Sequence, residues 1–489
     1  MAAEIRRGGN RVDTRSLPRP RLDLSLRQTG TTTLAGGDLA SPVVISDWGG
    51  LRRARVAAPR RPASEDELRA ALLTAAESGT GVALRGYGHS AGGQSFGDRA
   101  AILDLRGLNR VLELDHAART VRLQGGASWA DVTRVAEPVR LGPTTKQEFE
   151  TFTIGGSIAA NAHGKSIDHG PLVGGVSSLR LMKADGSIVT ASRNENAELF
   201  AATVGGYGLL GVIVEATLEL VEDRPVSNEA PVMRDARELI ASYIERVQSG
   251  REATPLCYGF LDGACRRGFY VAYVYDDDDR RAPLAQLERH EPPPGLFNAF
   301  VRVQRRSALA RRAALRLTWA ASRRSETTLR SRRLLLWDEP PAGLVGTLLQ
   351  KFVVPVARFA DLVERAGEIL RRDRHELPVL TPHFRFVPAN GEALLSLSPE
   401  DGIALILSHL ARPGDRRWVS AFERATGELL EAALELGGRH YLTFDSVACR
   451  EQLLRGYPGW DSFVALKRRH DPDQVFTSSF YERYEGPRK

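Results

Sequence analysis

The pattern of apolar and polar positions predicts short strands in the first half of the chain. Between about residues 40 and 220, β-branched and leucine-rich runs are separated by glycine, aspartate and asparagine, which is typical of strands joined by turns. These runs read VALRGYGHS, AILDL, VLELD, TVRLQGG, LRLMKADGSIVT and VIVEATLELV. Helical patterns lie between them at SEDELRAALLTAAESG, where Ser64 is a cap signal, and at ASWADVTRVAEP and NENAELFAATVGG. Strands mixed with helices predict an α+β domain.

The pattern changes after about residue 230 and predicts a second domain. Strand candidates read CYGFLDG, GFYVAYVY, QKFVVPV, HFRFVP and GIALILSHL, and two long amphipathic helices accompany them. This combination predicts an antiparallel sheet with helices on one side. A last helix ends at Asp471, because Pro472 cannot continue it. The predicted organisation is a flexible N-terminal tail at 1–40, a first domain at 41–225, a second domain at 226–450 with an arginine-rich insert at 302–333, and a C-terminal segment at 451–489 that returns to the first domain.

Composition limits the class of protein. A chain of 489 residues is long enough for two cores, and its 42% hydrophobic and 26% charged residues are typical of a soluble globular protein. We find neither an apolar run that could span a bilayer nor a secretory signal. The three cysteines, Cys257, Cys265 and Cys449, form neither a metal-ligand pattern nor an even disulfide framework. We therefore expect reduced thiols, no metal and a cytoplasmic location.

The net charge of +7 is concentrated in the tail and in the insert at 302–333. As a helix, the insert would be basic and amphipathic, which suits a membrane surface, an anionic substrate, a protein partner or a solvated face. No aromatic stacking pattern accompanies its arginines, so we do not expect nucleic-acid binding. The arginines in question are Arg305, Arg306, Arg311, Arg312, Arg316, Arg323 and Arg324.

Two familiar nucleotide motifs are excluded by their context. The GxGxxG match at 206–211 follows a helical pattern and precedes a strand, which is the reverse of a dinucleotide-binding fingerprint. Lys165 and Ser166 follow Gly164 as in a phosphate-binding loop, but the opening glycine of that motif is replaced by Ala159. Neither match supports an ordinary nucleotide-binding fold.

Three glycine-rich segments carry the candidate chemistry. The first, at 85–94, reads RGYGHSAGGQ and places His89 among glycines whose backbone amides can approach a pyrophosphate. The others read TIGGSIAANAHGK at 153–165 and TVGGYGLLGVI at 203–213. Three such loops can line one extended cofactor. The imidazole of His89 can also attack the activated methyl group of an oxidised isoalloxazine.

The order and spacing of these segments resemble the FAD-binding domain of the vanillyl-alcohol-oxidase / p-cresol-methylhydroxylase superfamily. The loop around His89 is similar to that of cytokinin dehydrogenases, sugar oxidases and polyol oxidases, in which a histidine carries the flavin. The other two segments, together with FVVP and LGGRHY nearer the C-terminus, resemble decaprenylphosphoryl-ribose oxidases. The resemblance implies an α+β, two-domain PCMH/VAO-type fold with an antiparallel-sheet substrate domain.

The resemblance also implies which residues bind FAD. His89 would hold the flavin covalently. Non-covalent contacts are implied for Arg85, Gly86, Tyr87, Gly88, Ser90, Gln94, Thr153, Gly155, Gly156, Ser157, Asn161, His163, Gly164, Gly208, Val212 and Ile213.

The chain departs from the ribose oxidases at two informative positions. Those enzymes have an arginine at the position of His89 and a lysine at the position of Phe444, just before Asp445 and Ser446. A polyprenyl-phosphate substrate is therefore not expected. No cysteine lies in the loop before His163, so a second covalent flavin bond is not expected either.

Candidate catalytic residues come from both halves of the chain. In the strand PHFRFVP, His383 and Arg385 are two positions apart and share one face, which is either the substrate face or a solvated edge. By resemblance, Lys351 occupies a substrate-contacting position, Lys165 lies beside the flavin with His163, and Tyr441 matches an aromatic residue of the site. Glu148 has the spacing of the catalytic aspartate of cytokinin dehydrogenases.

These features imply an FAD-dependent oxidase or dehydrogenase that removes a hydride from the alcohol carbon of a sugar, a polyol or a sugar-like natural product. The electron acceptor would be oxygen or another acceptor, and the only expected partner is the small-molecule substrate. Amine oxidation of the cytokinin-dehydrogenase type is an alternative, and a flavin-binding protein without turnover is another.

Overall fold

The computed structural model describes residues 31–32, 43–147, 149–276, 294–324, 330–331, 347–444 and 447–486. Most of the predicted tail at 1–40, parts of the insert at 302–333, and the residues Glu148, Asp445 and Ser446 lie outside the described residues.

The first half of the chain forms three sheets. A six-stranded antiparallel sheet has the order β10-β9-β11-β7-β6, with β8 paired to β11. Strands β1 to β3 form an antiparallel sheet, and β4 pairs with β5 in parallel. The strands are β1 (Thr31–Thr32), β2 (Val43–Ser46), β3 (Arg53–Val56), β4 (Val82–Arg85), β5 (Ala101–Asp104), β6 (Val111–Asp115), β7 (Thr120–Gln124), β8 (Leu141–Pro143), β9 (Val176–Met182), β10 (Ile188–Ser192) and β11 (Val212–Glu222).

Four helices accompany these sheets, namely α1 (Glu65–Glu77), α2 (Trp129–Ala136), α3 (Ile154–Ala159) and α4 (Ala197–Thr203). The predicted cap of α1 is confirmed, because the Ser64 hydroxyl accepts a hydrogen bond from the Glu67 amide at 3.2 Å. The second glycine-rich segment differs from the predicted loop, since α3 occupies its first part. The Thr153 hydroxyl caps α3 by accepting from the Gly156 amide at 3.3 Å, which offsets the weak helix propensity of the two glycines.

The second half of the chain forms one large antiparallel sheet, as the sequence predicts. Its order is β16-β12-β15-β14-β18-β19-β17-β20, with β13 paired to β15. The strands are β12 (Pro225–Asn228), β13 (Arg234–Asp235), β14 (Leu256–Leu261), β15 (Arg267–Tyr275), β16 (Arg330–Ser331), β17 (Thr347–Pro355), β18 (His383–Val387), β19 (Gly402–Leu410) and β20 (Arg439–His440). Together with the first half, this confirms the predicted α+β fold class.

Helices cover one face of this sheet. Phe384 of β18 packs edge-on against Tyr243 at 4.8 Å between ring centroids and lies 5.5 Å from Phe359. The opposite face carries Lys351, His383 and Arg385. The helices of this half are α5 (Ala236–Ser249), α6 (Pro294–Arg306), α7 (Ala308–Arg324), α8 (Phe359–Arg372) and α9 (Arg416–Glu435), and α5, α8 and α9 form the covering layer.

The C-terminal helices pack with the first half of the chain. They are α10 (Arg450–Gly456), α11 (Trp460–His470) and α12 (Ser479–Glu485). Trp460 and Phe480 share one apolar core with Trp129 and Leu218, and the Thr477 amide donates to the Val82 carbonyl at 2.9 Å. Within the described part of the chain, no helix is both long enough and apolar enough to cross a bilayer.

Candidate active site

The three glycine-rich segments meet on one surface. The Tyr207 amide donates to the Ala159 carbonyl at 2.9 Å, which joins the third segment to the second. Gly86 lies so close to Thr153 that an added Cβ would be 2.5 Å from the threonine hydroxyl, which joins the first segment to the second. A Cβ on Gly208 would lie 3.1 Å from Leu84 Cδ1, which brings the third segment against the strand before the first. The three segments therefore lie together, and we call the region where they meet the cleft.

His89 lies in an aromatic setting within the first segment. Its ring centroid is 4.4 Å from that of Phe152 and 5.0 Å from that of Trp48. Burial lowers the pKa of His89 to about 3, and the nearby charges of Arg85 and Arg106 act in the same direction. The imidazole is therefore neutral at physiological pH, which is the form that acts as a nucleophile.

The His89 loop is fastened to the second half of the chain by the segment at 441–444. The Ala91 amide donates to the Thr443 carbonyl at 2.9 Å, and the Gln94 side-chain amide donates to the Leu442 carbonyl. The side-chain oxygen of Gln94 accepts from the Gly92 amide at 2.9 Å. Gln94 therefore holds the loop in shape through both ends of its side-chain amide.

A second cluster forms where His163 meets the large sheet. Lys351 Nζ lies 2.8 Å from His163 Nε2 and 4.3 Å from the centroid of the Tyr441 ring. Burial lowers the pKa of His163 well below its ordinary value, and the charges of Lys351 and Arg385 lower it further. A neutral His163 accepts a hydrogen bond from the lysine ammonium at Nε2. The Tyr441 hydroxyl donates to the Ala160 carbonyl at 2.9 Å, which fixes the Tyr441 ring against the Lys351 ammonium.

Strand register brings the remaining candidates to the same face. Lys351 and His383 are both paired with Ile406, and Arg385 is paired with Ala404. Directly paired residues on neighbouring strands point to the same side of a sheet, so these three side chains share one face. An Arg385 guanidinium nitrogen lies 3.4 Å from His383 Nε2.

Lys165 joins this face from the loop that follows His163. Its Nζ lies 4.7 Å from the ring centroid of Tyr258, and Tyr258 pairs directly with Arg385. The structure thus brings together the predicted residues His163, Lys165, Lys351, His383, Arg385 and Tyr441, whereas Glu148 lies outside the described residues.

Comparison with known proteins identifies the cofactor. Residues 56–192 match the FAD binding domain family. The L-gulono-1,4-lactone dehydrogenase of Mycobacterium tuberculosis is 27% identical over 464 residues, covering 91% of this chain and 99% of that protein. The decaprenylphosphoryl-beta-D-ribose oxidase of Mycolicibacterium smegmatis is 26% identical over 471 residues, covering 90% and 96%. Cytokinin dehydrogenase 7 of Oryza sativa subsp. japonica is 33% identical over 183 residues, covering 36% and 35%.

The protein is an FAD-dependent oxidoreductase. Its matches are consistent with the vanillyl-alcohol-oxidase / p-cresol-methylhydroxylase superfamily. The predicted resemblance and the predicted cofactor are thereby confirmed, and the prediction of a flavin-binding protein without turnover is set aside.

The cleft of this flavoprotein fits FAD. Gly88 and Gly208 have φ angles of +74° and +75°, which glycine adopts without strain and which allow a backbone to turn close to a ligand. Asn161 uses its side-chain oxygen to accept from the Val173 amide at 3.1 Å. Its buried Nδ2 has no protein partner among the described residues, so it is available to donate to a bound group.

Several predicted cofactor residues also have partners within the protein. The Ser157 hydroxyl donates to the Gln147 side-chain oxygen at 2.7 Å and accepts from Trp129 Nε1 at 3.0 Å. The Val212 and Ile213 side chains lie in the apolar core. Arg85 donates to the Ser95 hydroxyl at 3.0 Å, and burial lowers the pKa of its guanidinium to about 10. These contacts help to shape the cleft, and the role of these residues in binding FAD stays a prediction.

Sequence reasoning missed four residues of the flavoprotein site. Trp48 and Phe152 flank His89 from distant parts of the chain, so no local pattern identifies them. Lys146 and Glu150 form a buried ion pair at 2.8 Å. The Lys146 carbonyl lies against Gly164, because a Cβ added to Gly164 would be 2.2 Å from the carbonyl oxygen. Oppositely charged residues four positions apart, just before the second glycine-rich segment, are a signal that could have identified this pair.

Proposed function

We propose that the flavoprotein oxidises a hydroxyl-bearing carbon of a sugar, polyol or sugar-like small molecule. The main support is the contact between Lys351 Nζ and His163 Nε2 at 2.8 Å. This contact joins a loop of the FAD domain to a sheet face that is rich in hydrogen-bond donors and imidazoles. Two relatives that match nearly the whole chain are named for sugar-like substrates, a gulonolactone and a ribose. Both observations favour a hydroxyl-bearing substrate.

The chemistry divides between cofactor and protein. FAD, when bound, accepts the hydride from the substrate carbon. The protein must then hold the substrate oxygen and receive its proton. We assign proton acceptance to His383 Nε2. The Arg385 guanidinium, a donor only, lies 3.4 Å from this nitrogen, so its long contact must give way to the substrate hydroxyl. Lys351 donates to the substrate oxygen and stabilises the negative charge that develops there.

The remaining candidates position these groups. Tyr441 supports the ammonium of Lys351 from below at 4.3 Å from its ring centroid. Lys165 is held over Tyr258 in the same way at 4.7 Å and supplies a second cation at the rim of the face. His163 remains neutral and orients Lys351 through their shared hydrogen bond.

Anaerobic mixing of the purified flavoprotein with aldonolactones, aldoses, polyols and primary or secondary amines tests the proposal. We expect a hydroxyl donor to bleach the oxidised-flavin absorbance, and His383→Asn to lower the rate of bleaching at least about 10²-fold. Bleaching by amines alone, abolished by Glu148→Gln but not by His383→Asn, would replace this function with amine oxidation. Peroxide formation on readmission of air would identify oxygen as an electron acceptor.

We also propose that His89 carries the flavin covalently. Its lowered pKa supports this, because a neutral ring nitrogen can bond to the methyl carbon of the isoalloxazine. The bond would form with loss of one methyl proton and the imidazole N–H proton, and oxygen would take up the two electrons and become peroxide.

Acid precipitation distinguishes a covalent from a non-covalent flavin. Yellow colour is expected to stay with the wild-type pellet and to appear in the supernatant of His89→Ala. Complete release of flavin from the wild type would contradict the bond and leave the proposed reaction untouched.

A further inference from the structure

The helices α6 and α7 form a hairpin with an unusual charge composition. Residues 294–324 contain arginines but neither lysine nor any acidic residue. The arginines are Arg302, Arg305, Arg306, Arg311, Arg312, Arg316, Arg323 and Arg324. Arg412 adds to this field, since its charge lowers the pKa of Arg311 after the larger effect of burial. The hairpin is therefore a concentrated positive patch.

The outward face of α7 also presents apolar side chains. Leu309, Arg312, Ala313, Arg316 and Leu317 follow the spacing of one helical face, and all five are exposed. Leu309 is 73% exposed and Leu317 is 55% exposed. Large apolar side chains are rarely left this accessible on a helix that already packs against its own protein. The stripe is thus both apolar and cationic.

Val303 extends the stripe onto α6. It is 55% exposed, and Arg302 and Arg306 flank it at neighbouring helical positions. Three of the five large hydrophobic residues that are exposed in the described parts of the chain therefore lie on this hairpin. Such clustering sets the hairpin apart from the rest of the described surface.

The inward face of the hairpin is already used for packing. Leu315 is buried beside Phe269 and Val271 of the large sheet, and Val301 packs with Leu380 and Leu410. Trp319 Nε1 donates to the Pro231 carbonyl at 2.9 Å. The stripe is consequently a second, outward surface on a hairpin anchored to the substrate half of the protein.

We propose that the outward stripe of α7, continued by Val303, Arg302 and Arg306 of α6, docks on an anionic phospholipid surface. Its leucines and valine would enter the boundary between headgroups and acyl chains, where burial removes their apolar surface from water. Guanidinium groups bind phosphate through paired hydrogen bonds, and the absence of acidic residues from 294–324 removes the main source of repulsion. Charge complementarity thus selects an anionic bilayer.

A nucleic acid would use this surface poorly. It would pair with the arginines but would leave Leu309 and Leu317 in water, and the Trp319 ring is turned inward to its hydrogen bond with Pro231. The apolar part of the stripe therefore decides in favour of lipid.

Co-sedimentation of the intact, FAD-loaded protein with vesicles tests the proposal. We expect binding to vesicles of phosphatidylcholine mixed with phosphatidylglycerol, no binding to phosphatidylcholine alone, and weaker binding at high salt. Leu309→Ser with Leu317→Ser, and separately Arg312→Gln with Arg316→Gln, should each weaken binding roughly tenfold or more. Arg312→Lys with Arg316→Lys should retain most of it.

Matched controls come from elsewhere on the surface. Leu73→Ser removes a leucine that is 38% exposed on α1, and Arg417→Gln removes an exposed arginine of α9. Both should bind vesicles like the wild type, and the flavin spectrum of every variant reports folding. Equal binding to both vesicle types, no binding, or displacement of vesicles by a DNA duplex would overturn the proposal. Turnover of a water-soluble substrate should be unchanged, so the test is independent of the proposed reaction.

Discussion

At the scale of single residues, the site depends on how charge is divided between His163 and Lys351. Both are buried, and their nitrogens are 2.8 Å apart. Two cations beside His163 lower its pKa below the value that burial alone would give. The imidazole therefore stays neutral and the positive charge stays on the lysine, where it can face a substrate oxygen.

Lys351→Met tests this division of charge. Removing the ammonium removes one of the causes that lower the pKa of His163, so that pKa should rise, although burial keeps it below its ordinary value. Protonation of His163 would then begin at a higher pH, and an NMR titration of its imidazole should show this upward shift. We also expect kcat/KM at neutral pH to fall about 10- to 100-fold, because a donor to the substrate oxygen is lost.

Tyr441→Phe is the control for Lys351→Met. It removes the hydrogen bond to the Ala160 carbonyl but keeps the ring beneath the ammonium. The NMR titration of His163 in this variant should match that of the wild type. A His163 titration that does not move in Lys351→Met would show that the lysine does not set the protonation of His163.

At the scale of elements, the cofactor cleft depends on glycine-rich segments that end a strand or a helix. Strand β4 ends at Arg85, immediately before the His89 loop, and helix α4 ends at Thr203, immediately before the third segment. At these ends the backbone must turn sharply and pass close to neighbouring atoms. Gly88 does both, because its φ is +74° and an added Cβ would lie 2.3 Å from the Arg85 guanidinium.

Gly88→Ala is expected to impair flavin binding. A left-handed backbone costs a non-glycine residue about 1–2 kcal/mol, and here the methyl group would also displace the Arg85 side chain. The measurement is the ratio of flavin absorbance to protein absorbance after purification, together with Tm.

Gly79→Ala is a matched control for Gly88→Ala. Gly79 has a φ of +66°, but nothing lies within 4 Å of an added Cβ. Gly79→Ala should lose about as much stability from the left-handed backbone, seen as a lower Tm, but should keep its full flavin content. If Gly88→Ala retained as much flavin as Gly79→Ala, close packing against Arg85 would not be required for the cofactor cleft.

Many of the helix and strand boundaries could be predicted from the sequence. The Ser64 cap, the β4 strand and the end of α11 before Asp471 follow from local rules, and all three are present. The start of α3 could not be predicted from the sequence, because the glycines at its second and third positions favour a loop. The Thr153 cap, which offsets this preference, is seen only in the structure.

The assembly of the site was less accessible. Alternation placed His383 and Arg385 on one face, but which face meets the flavin domain depends on where the helices pack. The contact between His163 and Lys351 joins residues 188 positions apart, and the Trp48 and Phe152 rings reach His89 only in the folded chain. Such contacts depend on how the two halves of the chain dock, which local patterns do not encode.

At the scale of the whole molecule, buried histidines link stability to pH. Burial lowers the pKa of His409 to about 4 and that of His440 to about 3, in addition to the effects on His89 and His163. Above the ordinary histidine pKa of 6.5, the folded and unfolded chains are both neutral at these sites. As the pH falls below that value, the histidines of the unfolded chain bind protons, whereas the buried histidines of the folded chain do not. Stability should therefore fall from about pH 6.5 downward, until the folded pKa of each histidine is reached.

His409→Leu isolates one part of this effect. His409 is 1% exposed and packs edge-on against Phe422 at 5.4 Å, and neither of its ring nitrogens has a hydrogen-bond partner among the described residues. Leucine keeps the apolar packing and binds no proton, so between pH 7 and pH 5 the variant should lose about 2 kcal/mol less of its free energy of unfolding than the wild type. Urea unfolding followed by tryptophan fluorescence at the two pH values measures this difference. The control is His116→Gln, which replaces an exposed histidine between β6 and β7 and should retain the pH dependence of the wild type. If His409→Leu lost as much free energy of unfolding between pH 7 and pH 5 as the wild type, proton uptake at His409 would not contribute to acid unfolding.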